Sequence, residues 1–148
     1  NQHGPVMKYV PFKSGEPFSV AHLTVLAVKV NHIVPTVGLL VSDDRSTVLF
    51  SSDTAETDEL WKVANRAPRL DALLIEASFP NSMGELAKVS KHLTPETMAQ
   101  ELRKLNHNGI DILAVHVKPA YRAKVIEEIA ALGIEKLSVM EAGKVYEW

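Results

Sequence analysis

The 148-residue chain contains no cysteine. That absence excludes disulfides, thiolate metal sites and cysteine nucleophiles, so any metal must rest on histidine and carboxylate. No apolar run approaches the roughly 20 residues needed to cross a bilayer. Nor does one sign of charge dominate, since 16 basic residues against 18 acidic ones leave a net charge of -2. Such a balance gives no general attraction to nucleic acid or to an anionic membrane, although a local basic patch is compatible with it. The sequence opens at Asn1 rather than at methionine, so a cytoplasmic location is only the default expectation. Hydrophobic residues make up 46% of the chain, enough for one globular domain with its own core.

The first third reads as β. In HLTVLAVKV, Leu26, Val28 and Val30 alternate onto one face, and VGLLV and TVLFS follow across a polar turn at SDDRS. From Thr54 onward strands alternate with helices. TDELWKVANR is a helix with Thr57 as its expected N-cap, ending before Pro68. DALLIEA is a short buried strand, and TPETMAQELRKL is a helix capped by Thr94 with Pro95 at its first position. Met98, Leu102 and Leu105 on one face of it are core. DILAVHV is another strand, AYRAKVIEEIAAL a helix closed by Gly133, and KLSVM a last strand. Strands first and strand–helix units later predict an α/β layer arrangement, a sheet covered by helices.

His32 (KVNHIVP), Asp53 (FSSDT) and His116 (LAVHVKP) each sit at or just beyond the C-terminal end of a predicted strand. In open α/β sheets, ligands bind in the crevice outside those ends. Taken singly, each has a plain structural explanation: a histidine satisfied near a strand end, or an aspartate in an Asx-turn. Together, two imidazoles and a carboxylate suit zinc, manganese or iron. His92, in SKHLTPE, stands just before the positively polarised start of a helix, which favours a neutral ring or an adjacent anion. Glu76 ends an apolar strand, where an unpaired charge is costly. A His92–Glu76 hydrogen bond answers both problems and would allow His92 to donate a proton; a simple capping arrangement is the alternative. His3, His22 and His107 lack such settings and read as surface or structural.

These segments together resemble the metallo-β-lactamase superfamily and, within it, the class II cyclic-nucleotide phosphodiesterases. VNHIVPTVG looks like the third metal-binding motif and LAVHVKP like the fifth. LFSSDT looks like the fourth, with Ser52 where most members carry glycine. The most discriminating piece is LLIEASFPNSMGELAKVSKHLTPETMAQEL, whose Glu-x-Ser-aromatic-Pro-Asn and His-Leu-Thr-Pro are similar to the phosphodiesterases rather than the lactamases. The tRNA-maturing phosphodiesterases share a related Glu and His pairing and remain close competitors.

The resemblance implies two divalent metal ions, zinc first with manganese or iron as alternatives. His32 would bind one ion, His116 the other, and Asp53 would bridge them. His92 would protonate the leaving oxygen, oriented by Glu76. The implied substrate is a small phosphodiester, a 3′,5′-cyclic nucleotide. The alternatives are an RNA-processing phosphodiesterase, disfavoured by scattered and balanced basic residues, and a non-catalytic binding or oligomerisation domain. The signature H-x-H-x-D-H, which supplies the other ligands in the family, is absent from all 148 residues. The chain is therefore expected to be the C-terminal portion, half of an αββα sandwich with one mixed sheet. By itself it should bind metal weakly and hydrolyse little. Its bared apolar face should be covered by the missing N-terminal half or by a second copy in a homo-oligomer.

Overall fold

A computed structural model describes residue 7 and residues 9–148. Seven strands form one mixed sheet in chain order: β1 (Pro17–Val20), β2 (Leu23–Lys29), β3 (Val37–Ser42), β4 (Thr47–Phe50), β5 (Ala72–Glu76), β6 (Asp111–Val115) and β7 (Leu137–Val139). Pairing is antiparallel from β1 to β4 and parallel from β4 to β7. The chain reverses twice between β2 and β4, so β2, β4, β5 and β6 all end on one rim. Four α-helices occur among the described residues: α1 (Glu59–Arg66), α2 (Gly84–Ser90), α3 (Pro95–Leu102) and α4 (Arg122–Ala131). The expected α/β arrangement is thus a single mixed sheet with covering helices.

Period-2 alternation decides which face each strand offers. Val28, Leu49, Leu73, Ile75, Ile112 and Ala114 project from the sheet into one core. Leu60, Trp61 and Ala64 of α1, Met98 of α3, and Val125 and Ile129 of α4 meet them there. The opposite face is also apolar. Its cross-strand pairs Leu39–Phe50 and Val41–Val48 are only half-buried.

α1 approaches the sheet at Gly38. A Cβ there would lie 2.7 Å from Leu60 Cδ1 and 2.9 Å from the Phe50 carbonyl oxygen. Leu60 can give way, but a backbone carbonyl inside the ladder cannot do so cheaply. Gly38→Ala should therefore cost about 1–3 kcal/mol by overpacking, despite the usual unfolded-state gain of Gly→Ala. A denaturant melt measures this, and an unchanged midpoint would refute the close approach.

Local signals explain the ends of several elements. Thr94 caps α3, its side chain accepting from Thr97 N while Thr97 Oγ1 accepts from Thr94 N, with Pro95 in the first turn. In the β3–β4 turn, the backbone N–H groups of Arg45 and Ser46 both donate to Asp43 Oδ1 at 2.8 Å. Those two bonds hold the Asp43 carboxyl below the usual carboxylate range.

The start of α1 departs from expectation. Its N-cap is Asp58, not Thr57. Thr57 is drawn inward because its N–H donates to Glu101 Oε2 at 3.0 Å. The same oxygen accepts from Trp61 Nε1 at 2.7 Å, and Lys104 Nζ lies 2.8 Å from Glu101 Oε1. A carboxylate that is only 2% exposed is thereby satisfied on both oxygens.

Candidate metal centre

Four strand ends deliver the side chains to one rim. His32 lies in the loop after β2, Asp53 in the loop after β4, Glu76 is the last residue of β5, and His116 directly follows β6. Backbone bonds lock these loops in pairs. Ala55 N donates to the Asn31 carbonyl at 2.8 Å and Asn31 N to Thr54 Oγ1 at 3.1 Å, joining the His32 and Asp53 loops. Ala77 N to the Val115 carbonyl at 3.0 Å and Lys118 N to the Ser78 carbonyl at 3.2 Å join those of Glu76 and His116.

Five described non-glycine residues have positive φ, and three of them lie here: Ser52 at 55°, Lys91 at 53° and His116 at 58°. Left-handed backbone costs about 1–2 kcal/mol at a residue with a Cβ, a strain that proteins tend to concentrate at functional sites.

Glu76 is fully buried. Its Oε1 accepts from Thr54 N at 2.8 Å and contacts His92 Nδ1 at 2.7 Å. Its Oε2 accepts from Ser78 Oγ at 2.8 Å and from Leu93 N at 3.0 Å. Every neighbour is a donor, which answers the cost of a charge at the end of an apolar strand. The carboxylate can only accept, so His92 Nδ1 carries the hydrogen and Nε2 is left as the outward nitrogen. His32 is fixed in the same way, with Nδ1 facing the Lys91 carbonyl at 3.0 Å. The left-handed turn at Lys91, where α2 ends, aims that carbonyl. His92 follows directly, its N–H donating to the Ala87 carbonyl at 2.8 Å.

His32, Asp53 and His92 each offer a ligand atom, all within 4.8 Å of one another. His116 joins from the far side, its Nε2 lying 3.5 Å from Asp53 Oδ2 and 2.8 Å from Lys118 Nζ. The His92 ring stands between the others, 5.0 Å from His32 and 5.4 Å from His116 between centroids. Imidazoles anchored through Nδ1, as in His32 and His92, beside a carboxylate form a donor set that fits a borderline divalent cation.

The structure therefore gathers all five residues singled out in the sequence. The setting of His92 differs from the expected one, because it is held by the end of α2 as well as by the approach to α3. Lys91, Thr54, Ser78 and Lys118 were not anticipated; three of them act through backbone groups or a hydroxyl, and Lys118 lies in a motif read only for its histidine. His22 is exposed, His107 Nε2 meets the Ala64 carbonyl at 3.0 Å, and His3 falls outside the described residues.

A mixed sheet with helices against one face and a His–Asp cluster beyond its strand ends is a metallo-β-lactamase fold. The chain belongs to the beta-lactamase superfamily, whose domain model matches residues 1–117. No curated protein matches in sequence. Among solved structures, the metallo-beta-lactamase fold protein YhfI from Bacillus subtilis superposes with a TM-score of 0.79 at 16% identity, over 95% of this chain and 56% of that one. Zn(2+)-bound PqqB from Methylobacterium extorquens gives 0.68 at 16% identity, over 93% and 55%. The short form of human tRNase Z gives 0.61 at 18% identity, over 84% and 42%. The chain thus spans about half the length of the structures it resembles. At such identities the likeness is one of fold, which does not decide chemistry.

Proposed function

We propose that this chain is the C-terminal part of a metal-dependent phosphodiester hydrolase acting on a 3′,5′-cyclic nucleotide. The observation that carries the reading is the Glu76–His92 contact of 2.7 Å, set beside His32, Asp53 and His116 on one rim. His32 and His116 would hold two divalent ions with Asp53 between them. PqqB, with the same fold, is described as zinc-bound. Bound there, such ions would neutralise phosphoryl charge and generate a nucleophile from water. Glu76 fixes the ring through Nδ1–H and supports a positive charge on it, so Nε2, once it has taken up a proton from solvent, is the nitrogen that would hand that proton to the leaving 3′ oxygen.

Two imidazoles and one carboxylate leave each of two ions short of the usual three or four protein ligands. The remaining ligands would come from a segment outside this chain, which fits the greater length of the similar structures. That segment, or a second copy, would also cover the half-buried Leu39, Val41, Val48 and Phe50.

The test is turnover by the full-length protein, with defined metals, of cyclic AMP, cyclic GMP, bis(p-nitrophenyl) phosphate and a precursor tRNA. Cyclic-nucleotide hydrolysis is expected. His92→Ala should lower kcat by about 10²–10⁴-fold, the usual contribution of a proton donor, and added metal should not restore it. Wild-type turnover by that variant would overturn the role of His92. Cleavage of the tRNA alone would move the substrate class to RNA.

A further inference from the structure

Two cavities of opposite character flank the rim. On the His116 side, one of about 290 Å³ is lined by Arg122, Glu141 and Lys144 among others. On the His32 side, one of about 590 Å³ lies between the segment before β1 and the β2–β3 loop. Phe12, Ile33, Val34 and Pro35 make its walls apolar, and Lys29 is the one permanently charged side chain in its lining among the described residues. Phe12 is 51% exposed, Ile33 63% and Val34 57%. Large apolar side chains gathered open to solvent mark a ligand groove or an interface. The walls are already fixed. Gly15 N donates to the Ala27 carbonyl at 2.8 Å and Ser14 Oγ to the same oxygen at 3.2 Å, which pins the segment before β1 against β2. Val30 N donates to the Thr36 carbonyl at 3.3 Å and Thr36 Oγ1 to that of Val34 at 3.0 Å, which closes the loop. Phe18 stacks on Phe12 with 5.2 Å between centroids and 23° between planes, so the Phe12 ring is supported from one side.

We propose that the cavity beside His32 is a nucleobase subsite, with Phe12 as the stacking surface and Ile33, Val34 and Pro35 as the apolar wall. This inference rests on the cyclic-nucleotide reading above and adds to it where the base lies. His32 both lines the cavity and belongs to the His–Asp cluster, so a ligand whose phosphoryl group sits at the cluster has the cavity next to it. The rest of such a ligand must turn to one side. The His116 side presents charge, including the Lys118 ammonium 2.8 Å from the ring. An uncharged base settling there would strip water from those groups without replacing it. The His32 side presents apolar surface and an aromatic ring, and every base has a π-face to lay on it. A volume of about 590 Å³ falls inside the roughly 300–1,000 Å³ of small-molecule sites. Lys29 can only donate, which suits the N7 acceptor that both purines carry. Leu39, Val41, Val48 and Phe50 do not line the cavity, so it is separate from the sheet face that a segment outside this chain would cover.

The test uses the full-length protein and two half-ligands: adenosine, which has the base without phosphate, and inorganic phosphate, which has no base. Adenosine binding, followed by ligand-observed NMR, should weaken by about 5–150-fold in Phe12→Ala, the loss expected of one base–aromatic stack. Phe12→Trp should stay within about threefold of wild type, because the stack is kept. Val34→Asp, at an exposed position, should weaken binding as well by wetting the wall. Inorganic phosphate should inhibit turnover by wild type and Phe12→Ala alike, to within about threefold, well short of the loss of a stack. For cyclic AMP, Phe12→Ala should raise KM far more than it lowers kcat, the mark of binding energy present before the transition state. A wild-type protein that binds no adenosine, or a Phe12→Ala variant that binds it as tightly, would overturn the subsite. So would an equal loss of phosphate inhibition, which marks a disturbed rim rather than a lost stack. A fall in Tm of Phe12→Ala with adenosine binding unchanged would assign the cavity to a segment from outside this chain instead. Adenosine binding is read without hydrolysis. Its dependence on Phe12 in a protein that cleaves no cyclic nucleotide would refute the substrate reading and leave the subsite standing; cyclic AMP turnover with a KM indifferent to Phe12 would do the reverse.

Discussion

Glu76→Ala is expected to lower the unfolding free energy by about 3–5 kcal/mol, the range for removing one partner from a buried charged network. A fall of roughly 10 °C or more in Tm would accompany a loss of that size in a chain of this length. Thr54 N and Leu93 N lose their acceptor inside the protein, and His92 loses the contact that sets its ring. Glutamine does not rescue the site, although it matches glutamate in shape. Each carboxylate oxygen meets two donors, one of them a backbone N–H. Whichever position the glutamine amide nitrogen takes, it faces an N–H that cannot turn away. Glu76→Gln should therefore lie closer to Glu76→Ala than to wild type in a thermal melt. A glutamine variant within about 0.5 kcal/mol of wild type, the range of harmless substitutions, would show that the four-donor description is wrong.

The second large effect lies away from the site. Glu101→Ala leaves Trp61 Nε1 and Thr57 N without an acceptor. At about 1–3 kcal/mol for each of the two buried orphan donors, a loss of about 2–6 kcal/mol is expected. Lys104 feels the change as well. Burial pushes its amine down, yet hydrogen bonds to Asp58 and Glu101 outweigh this and hold it above the usual lysine value. Lys104→Met leaves the buried Glu101 Oε1 without its partner, but the lysine side chain is 36% exposed and water can take its place, so the loss should stay near the lower end, about 1–2 kcal/mol. Urea melts of the two variants separate the orphaned donors from the lost ion pair. Equal losses would mean that the ion pair, and not the indole and the backbone N–H, holds the carboxylate in place.

These two carboxylates mark how far the sequence could be read. Glu76 was legible because an acid closing the run LLIE needs a partner, and His92 is the titratable group near a helix start that can supply one. Glu101 was not, since its place in TPETMAQEL looks like an ordinary solvated helix position and its partners Thr57 and Trp61 lie 44 and 40 residues away. The same network overturned Thr57 as the α1 cap: a tertiary acceptor competed for that residue and Asp58 took the position. The strand ends bearing His32, Asp53 and His116 were legible because alternation followed by a breaker marks where a strand stops. The acceptor for His32 was not, because it is a backbone carbonyl and depends on Lys91 adopting a left-handed conformation that the sequence does not favour. Lys118 is close to His116 in sequence, but its approach follows from the backbone bond to Ser78.

The parallel course of β2, β4, β5 and β6 has a kinetic corollary. No two of these strands are joined by a tight hairpin, and the rim cannot close until β6 has docked against β5. Such non-local pairing makes for slow folding. A chain emerging from a ribosome would hold its early histidine idle until the late one arrived. Metal added during refolding should therefore be captured after the sheet forms, and it should protect the native state from unfolding without hastening its formation.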